Sequence, residues 1–192
     1  FNVHPGSAKD TMINAIAVAS EIQSLLPEAE SPRNTDGYEG FYHLTGMSGD
    51  VAHAESEYII RDHDAEKFAA KEENLRRIEK EMNEKYGAGT VKLEIKEQYR
   101  NMAEKIRPHM YLMDVAAEAF KELGIETPAI NPVRGGTDGS RLSYMGLPCP
   151  NLCTGGHNYH GKYEFICIQS MEKTVELLLK IAEKFMKVEK QA

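Results

Sequence analysis

The sequence predicts an α/β protein in two parts, residues 1–98 and residues 99–192. Three observations carry that reading. Up to residue 97 the apolar pattern reads strand, helix, strand, strand, helix, strand. After Pro108 it changes to helix and strand in alternation. The second stretch has only two strands of its own, too few for a stable sheet covered on both faces. The first order is the split βαβ arrangement of ferredoxin-like domains (βαββαβ), which buries one small core under two helices.

The elements follow in order. FNVH reads as the tail of a first strand, and Ser7-Ala8-Lys9-Asp10 as a capping box. Met12, Ala15, Ile16, Ala19, Ile22 and Leu26 recur at helical spacing, and Pro27 closes that helix. Phe41–Met47 and Glu55–Arg61 read as two strands joined across Ser48, Gly49 and Asp50. Asp64 caps a second helix with Phe68, Leu75, Ile78 and Met82 on one face and Lys, Arg and Glu on the other. Gly87 and Gly89 end it, and Thr90–Lys96 alternates as a strand with one wet face.

In the second part, Met113, Ala116, Ala117 and Phe120 line a helix that Gly124 terminates. A short strand at Ala129–Ile130, a glycine-rich turn, a short helix near Leu142–Met145 and a strand at Pro148–Cys153 follow. The last helix is expected to bury Met171, Val175, Leu178, Ala182 and Phe185.

Composition excludes several function classes. Hydrophobic residues make up 41% and charged residues 28% of the 192, which is ordinary for a folded domain. A net charge of -7 disfavours nucleic acid and anionic membrane as partners. No apolar run approaches the ~20 residues that span a bilayer, and no basic leader precedes one. Cys149 and Cys153 read as small residues buried in the apolar run LPCPNLC, with a metal or redox pair as the competing reading, and the three cysteines (Cys149, Cys153, Cys167) taken as reduced thiols point to the cytoplasm. With Phe1 at the first position, the chain is expected to begin inside a longer polypeptide, its missing strands lying upstream and its first domain inserted within the second.

Three polar segments are candidates for chemistry. Asn2-Val3-His4-Pro5-Gly6 places a histidine at a strand end beside a helix start, where an anion is favoured; an exposed turn histidine is the competing reading. Arg134-Gly135-Gly136-Thr137-Asp138-Gly139-Ser140 pairs a bidentate cation with glycines that let backbone N–H groups approach an anion. It lacks the spacing of a P-loop, and a tight structural turn explains it equally well. Gly155–Glu164 gathers His157, Tyr159, His160 and Glu164 in one loop after a strand. His-x-x-His in a loop lacks the geometry of a helical zinc motif.

The segments VHPGSAKDTMINAI, TDGYEGFYHLTGMSGDVAHAESEYIIRDHD, NPVRGGTDGSRLSYMGLPCPNLCTGG and NYHGKYEF, in that order, resemble the peptidase T family. That family of tripeptide aminopeptidases is related to carboxypeptidase G and succinyl-diaminopimelate desuccinylase. The resemblance implies a ferredoxin-like lid, pairing into a homodimer, inserted in an α/β catalytic domain that binds two Zn2+ ions and releases the N-terminal residue of tripeptides. It implies that His160 is a metal ligand and His4 a catalytic donor to the oxyanion. Asn101, Arg134, Gly135, Gly136 and Thr137 are implied to line the substrate pocket. The family's remaining ligands and its general base all precede the lid, so this stretch alone is expected to be inactive. Two other classes stay open: a non-catalytic dimerisation module, and an anion-binding domain built on the Arg134 turn.

Overall fold

The computed structural model describes residues 1–126 and 128–187. It is a mixed helix and strand structure that divides into two compact units. Unit 1 comprises Phe1–Glu97 with Pro132–Gly135, and unit 2 comprises Gln98–Asn131 with Gly136–Ala192.

In unit 1, helix α1 runs over Ala15–Leu25. Its cap is Asn14, whose side chain accepts from the Ile16 and Ala17 amides. The capping box expected at Ser7 is therefore corrected: Pro5–Ser7 forms a separate 3-10 turn instead. Asn14 wins because its short side chain reaches two of the orphan amides of the first turn. Strands β1 (Phe41–Gly49) and β2 (Ala54–Arg61) pair antiparallel, with one irregularity between Leu44 and Gly46. Their turn is held by Asp50, whose carboxylate accepts from the Ala52 and His53 amides.

Helix α2 (Ala65–Tyr86) is capped by Asp64 and ends at Gly87, at φ 105°. Lys71, Leu75, Ile78 and Met82 are its buried positions, a 3.6-residue stripe. Leu75, Ile78 and Met82 join Leu26 and Tyr42 in the core, with Ile22, Tyr58, Ile60, Val91 and Leu93 packed against it. The buried Lys71 ammonium pairs with Glu30 and lies 3.4 Å from Asp62, so the charge is compensated where it is desolvated.

Two of the four strands expected here have no ladder among the described residues: the stretch ending at His4, and Thr90–Lys96. The second is instructive. Val91, Leu93 and Ile95 are half-buried while Lys92, Glu94 and Lys96 are exposed, as the alternation predicts. Side chains of α2, however, stand where a neighbouring strand would. Asn83 bonds both the N–H and the carbonyl of Val91, and Glu79 accepts from Leu93 N–H.

In unit 2, α3 (Ala103–Ile106) leads to α4 (Tyr111–Glu122), after which Gly124 turns the chain at φ 80°. Helix α5 covers Asp138–Tyr144, and α6 covers Ile168–Phe185. A two-residue pair, β3 (Gly156–His157) with β4 (Phe165–Ile166), is the ladder among the described residues of this unit. The strands expected at Ala129–Ile130 and Pro148–Cys153 carry no ladder, and of the two cysteines expected to be buried Cys149 is half-buried and Cys153 exposed.

The buried face of α6 also differs from the expectation. Leu177 is 2% exposed, whereas Val175 and Leu178 are 57% and 51% exposed. Helix α6 meets α4 through that side, with Lys184 bonded to Glu118 and Glu122. No helix among the described residues is long and apolar enough to cross a membrane.

Candidate functional site

His4 sits in unit 1 at the head of the 3-10 turn Pro5–Ser7 and is exposed. Its Nδ1 accepts a hydrogen bond from Gly6 N–H at 3.1 Å. The turn is closed by Ser7 N–H donating to the His4 carbonyl at 2.9 Å.

Arg134 belongs to unit 1 as well, and its guanidinium is already engaged. Nη1 donates to the Thr35 carbonyl at 2.7 Å, and Nη2 donates to Thr35 Oγ1 at 2.6 Å and the Glu39 carbonyl at 3.2 Å. The guanidinium carbon also lies 4.9 Å from the Phe41 ring centroid, a cation–π arrangement. A carboxylate fork needs Nη2 paired with either Nη1 or Nε, and both Nη2 hydrogens are spent. The expectation of a bidentate carboxylate donor is therefore corrected. Nε–H, buried and unbonded, and the second Nη1 hydrogen remain. Nearby in unit 1, burial lowers the His63 pKa below its ordinary value.

In unit 2 the structure brings the Arg100–Asn101 backbone and helix α5 together. Tyr144 Oη donates to the Asn101 carbonyl at 3.1 Å, and Ser140 Oγ donates to the Arg100 carbonyl. The Asn101 side-chain oxygen accepts from Ala103 N–H at 2.9 Å. Tyr99 lies so close to Gly136 that a Cβ there would fall into its ring. A Cβ on Gly139 would come 2.5 Å from the Cys149 carbonyl oxygen. Thr137, the residue before α5, has a buried hydroxyl with no hydrogen-bond partner. Gly135 is open: nothing lies within 4 Å of a Cβ placed on it.

His160 is on the loop between β3 and β4, exposed, with a left-handed backbone at φ 62°. Its N–H donates to the Glu164 carboxylate at 2.9 Å, which ties the two ends of HGKYE together. Asn158, at φ 56°, braces the same loop by donating to the Tyr163 carbonyl at 3.1 Å. His157 stacks on Phe165 with ring centroids 4.9 Å apart, so its ring serves the short ladder. Among the described residues no three His, Cys, Asp or Glu side chains converge as a metal site. His160 therefore offers a single exposed imidazole and is not part of a three-ligand group among the described residues.

Sequence reasoning missed Thr35, Ser140 and Tyr144, which hold Arg134 and the Arg100–Asn101 backbone. Thr35 carried no signal, since its partner is 99 positions away. Gly6 was legible only as a turn residue beside His4.

Residues 2–90 match the peptidase dimerisation domain family. Peptidase T of Caldanaerobacter subterraneus subsp. tengcongensis is 56% identical over 182 residues, 95% of this chain and 44% of that protein. This chain is a relative of peptidase T. Peptidase T of Clostridium novyi is 52% identical over 186 residues, 97% of the chain and 46% of the relative. The chain thus spans less than half the length of these curated peptidase T relatives.

Two solved structures share the fold. An aminopeptidase PepT from Bacillus cereus superposes with a TM-score of 0.61 at 19% identity, covering 95% of this chain and 48% of that one. A tripeptidase from Staphylococcus aureus gives 0.64 at 17%, with coverage of 97% and 49%. At those identities the superpositions speak for the fold alone, and the peptidase T relationship rests on the sequence matches.

Proposed function

We propose that this chain is part of a cytoplasmic, zinc-dependent aminopeptidase that releases the N-terminal residue from tripeptides. The observation that carries the reading is identity above one half with peptidase T along 95% of the chain. His160 is the metal ligand this stretch contributes in a two-zinc site, with its loop shaped by the Glu164 bond. Zinc, when bound, supplies a water acidic enough to attack an amide at neutral pH.

The chain's own residues bind and orient. His4 donates a proton in a hydrogen bond to the oxyanion of the tetrahedral intermediate, a donor type whose loss typically costs ~2.7–4 kcal/mol of transition-state stabilisation. By the resemblance to peptidase T, Asn101, Gly135, Gly136 and Thr137 are substrate-binding residues. Arg134 meets the peptide's C-terminal carboxylate through a single donor, since its forks are occupied. A single charge contact at that end favours short peptides over long ones.

The test uses the full-length polypeptide carrying this chain. It should cleave free tripeptides and leave N-acetylated ones intact. Replacing Arg134 with Met should raise KM for a tripeptide far more than for its C-terminal amide. Equal effects on both would remove the carboxylate role and leave the peptidase reading standing. Equal cleavage of acetylated and free tripeptides would remove the aminopeptidase reading itself.

A non-catalytic role is favoured by one separate observation, the match of residues 2–90 to a peptidase dimerisation domain. On that ground we infer that the full-length protein is a homodimer. Light scattering on it should give twice the polypeptide mass.

A further inference from the structure

Gly6 makes a contact that decides what His4 can offer a ligand. Its N–H donates to His4 Nδ1 at 3.1 Å. A backbone N–H only donates, so Nδ1 must be the bare nitrogen of the ring. The proton of the neutral imidazole then resides on Nε2. Pro5 has no N–H, and the Ser7 amide is spent on the His4 carbonyl, which leaves Gly6 as the donor within reach of the ring. The fit is close: a Cβ on Gly6 would lie 3.1 Å from His4 Cε1 and 3.2 Å from Nδ1.

We propose that Gly6 is a positioning residue for His4, its amide holding the imidazole as the Nε2–H tautomer so that Nε2 is the donor presented to substrate. The tautomer follows from the turn alone; its catalytic consequence rests on the reading of His4 as the oxyanion donor. An oxyanion accepts a hydrogen bond from N–H and is repelled by a lone pair. The opposite tautomer, with the proton on Nδ1, would aim a lone pair at the charge it should stabilise. Glycine at position 6 lets the ring approach the amide; any side chain must push it away.

The test is nitrogen NMR on the chain labelled at histidine, at mildly alkaline pH, with His4 assigned by its loss in His4→Gln. The expected spectrum shows one dominant tautomer with Nδ1 unprotonated, and Gly6→Ala moves both nitrogens toward averaged positions. Averaged nitrogens in the unsubstituted chain, or an unchanged His4 in a folded Gly6→Ala, would overturn the proposal. Should Gly6→Ala fail to fold, the scalar coupling from the Gly6 amide nitrogen to His4 Nδ1 decides: its presence supports the bond and its absence overturns it. In the full-length polypeptide, Gly6→Ala should lower kcat on a tripeptide several-fold with little change in KM. If His4→Ala leaves hydrolysis intact, the catalytic half falls while the tautomer assignment stands.

Discussion

At the scale of single residues, Arg134 shows how neighbours far along the chain decide what a side chain is for. Its charge and its glycine-rich setting were legible in the sequence, and they suggested a carboxylate clamp. Its partners were not, because Thr35 and Glu39 lie 99 and 95 positions away. The folded arrangement makes the guanidinium a latch on residues 35–39 first, with the buried Nε–H and one Nη1 hydrogen unspent and no fork left for a ligand. Arg134→Met should therefore cost stability as well as substrate binding, by about 2 kcal/mol for hydrogen bonds from a charged donor. Arg134→Lys should recover little of this, since an ammonium cannot reproduce the planar fork that spans two carbonyls and a hydroxyl. Urea unfolding midpoints for the three proteins check it. Full recovery by lysine would show that charge alone holds the loop.

At the scale of elements, two local signals were read well, although the capping box expected at Ser7 gave way to a cap at Asn14. Asp64 was recognisable as the cap of α2, and Asp50 as part of the hairpin turn. Both carboxyl pKa values are lowered, Asp64 chiefly by the Lys67 backbone N–H and Asp50 chiefly by that of Ala52. The sign of the effect follows. A carboxyl whose folded pKa lies below its unfolded value of ~3.9 contributes stability above that pH and loses it as pH falls through the folded value. Asp64→Asn keeps a good cap without the titrating group. Its acid unfolding, followed by circular dichroism, should be shallower below pH ~4 than that of the unsubstituted chain. Superimposable acid profiles would sink the assignment.

Periodicity did less well where two apolar faces compete. In α6 the stripe Met171, Val175 and Leu178 reads as the buried one, yet Leu177 is the residue that is buried. Leu177→Ala should cost about 2–5 kcal/mol, and Leu178→Ala no more than about 0.5 kcal/mol. The reverse order in thermal unfolding would restore the face that spacing suggests. Thr90–Lys96 failed for a different reason. Alternation reports which side chains face the core, and it was right about Val91 and Leu93, which pack against it, and about Ile95 being half-buried. It does not report who accepts the backbone hydrogen bonds, and here Asn83 and Glu79 of α2 do so.

At the scale of the whole molecule, the distribution of metal ligands makes the sharpest prediction. The match to peptidase T covers 44–46% of the two relatives described. Within the described residues no three ligating side chains meet. Under the proposed function this stretch supplies His160 alone to a pair of zinc ions, each needing about three protein ligands. A lone exposed imidazole binds zinc weakly, because the ion gains little over its water shell from one nitrogen. The chain by itself should therefore retain well under one zinc per molecule after desalting and should release no amino acid from tripeptides. The full-length polypeptide should retain two. His160→Ala in that polypeptide should lower the count toward one while leaving the dimer intact, because the loop of residues 158–164 lies outside the stretch that matches the dimerisation domain. Metal analysis by mass spectrometry, with light scattering on the same samples, separates the outcomes. Two zincs retained by the His160 variant would show that the loop is held for its shape, by the Glu164 bond, and not for its imidazole.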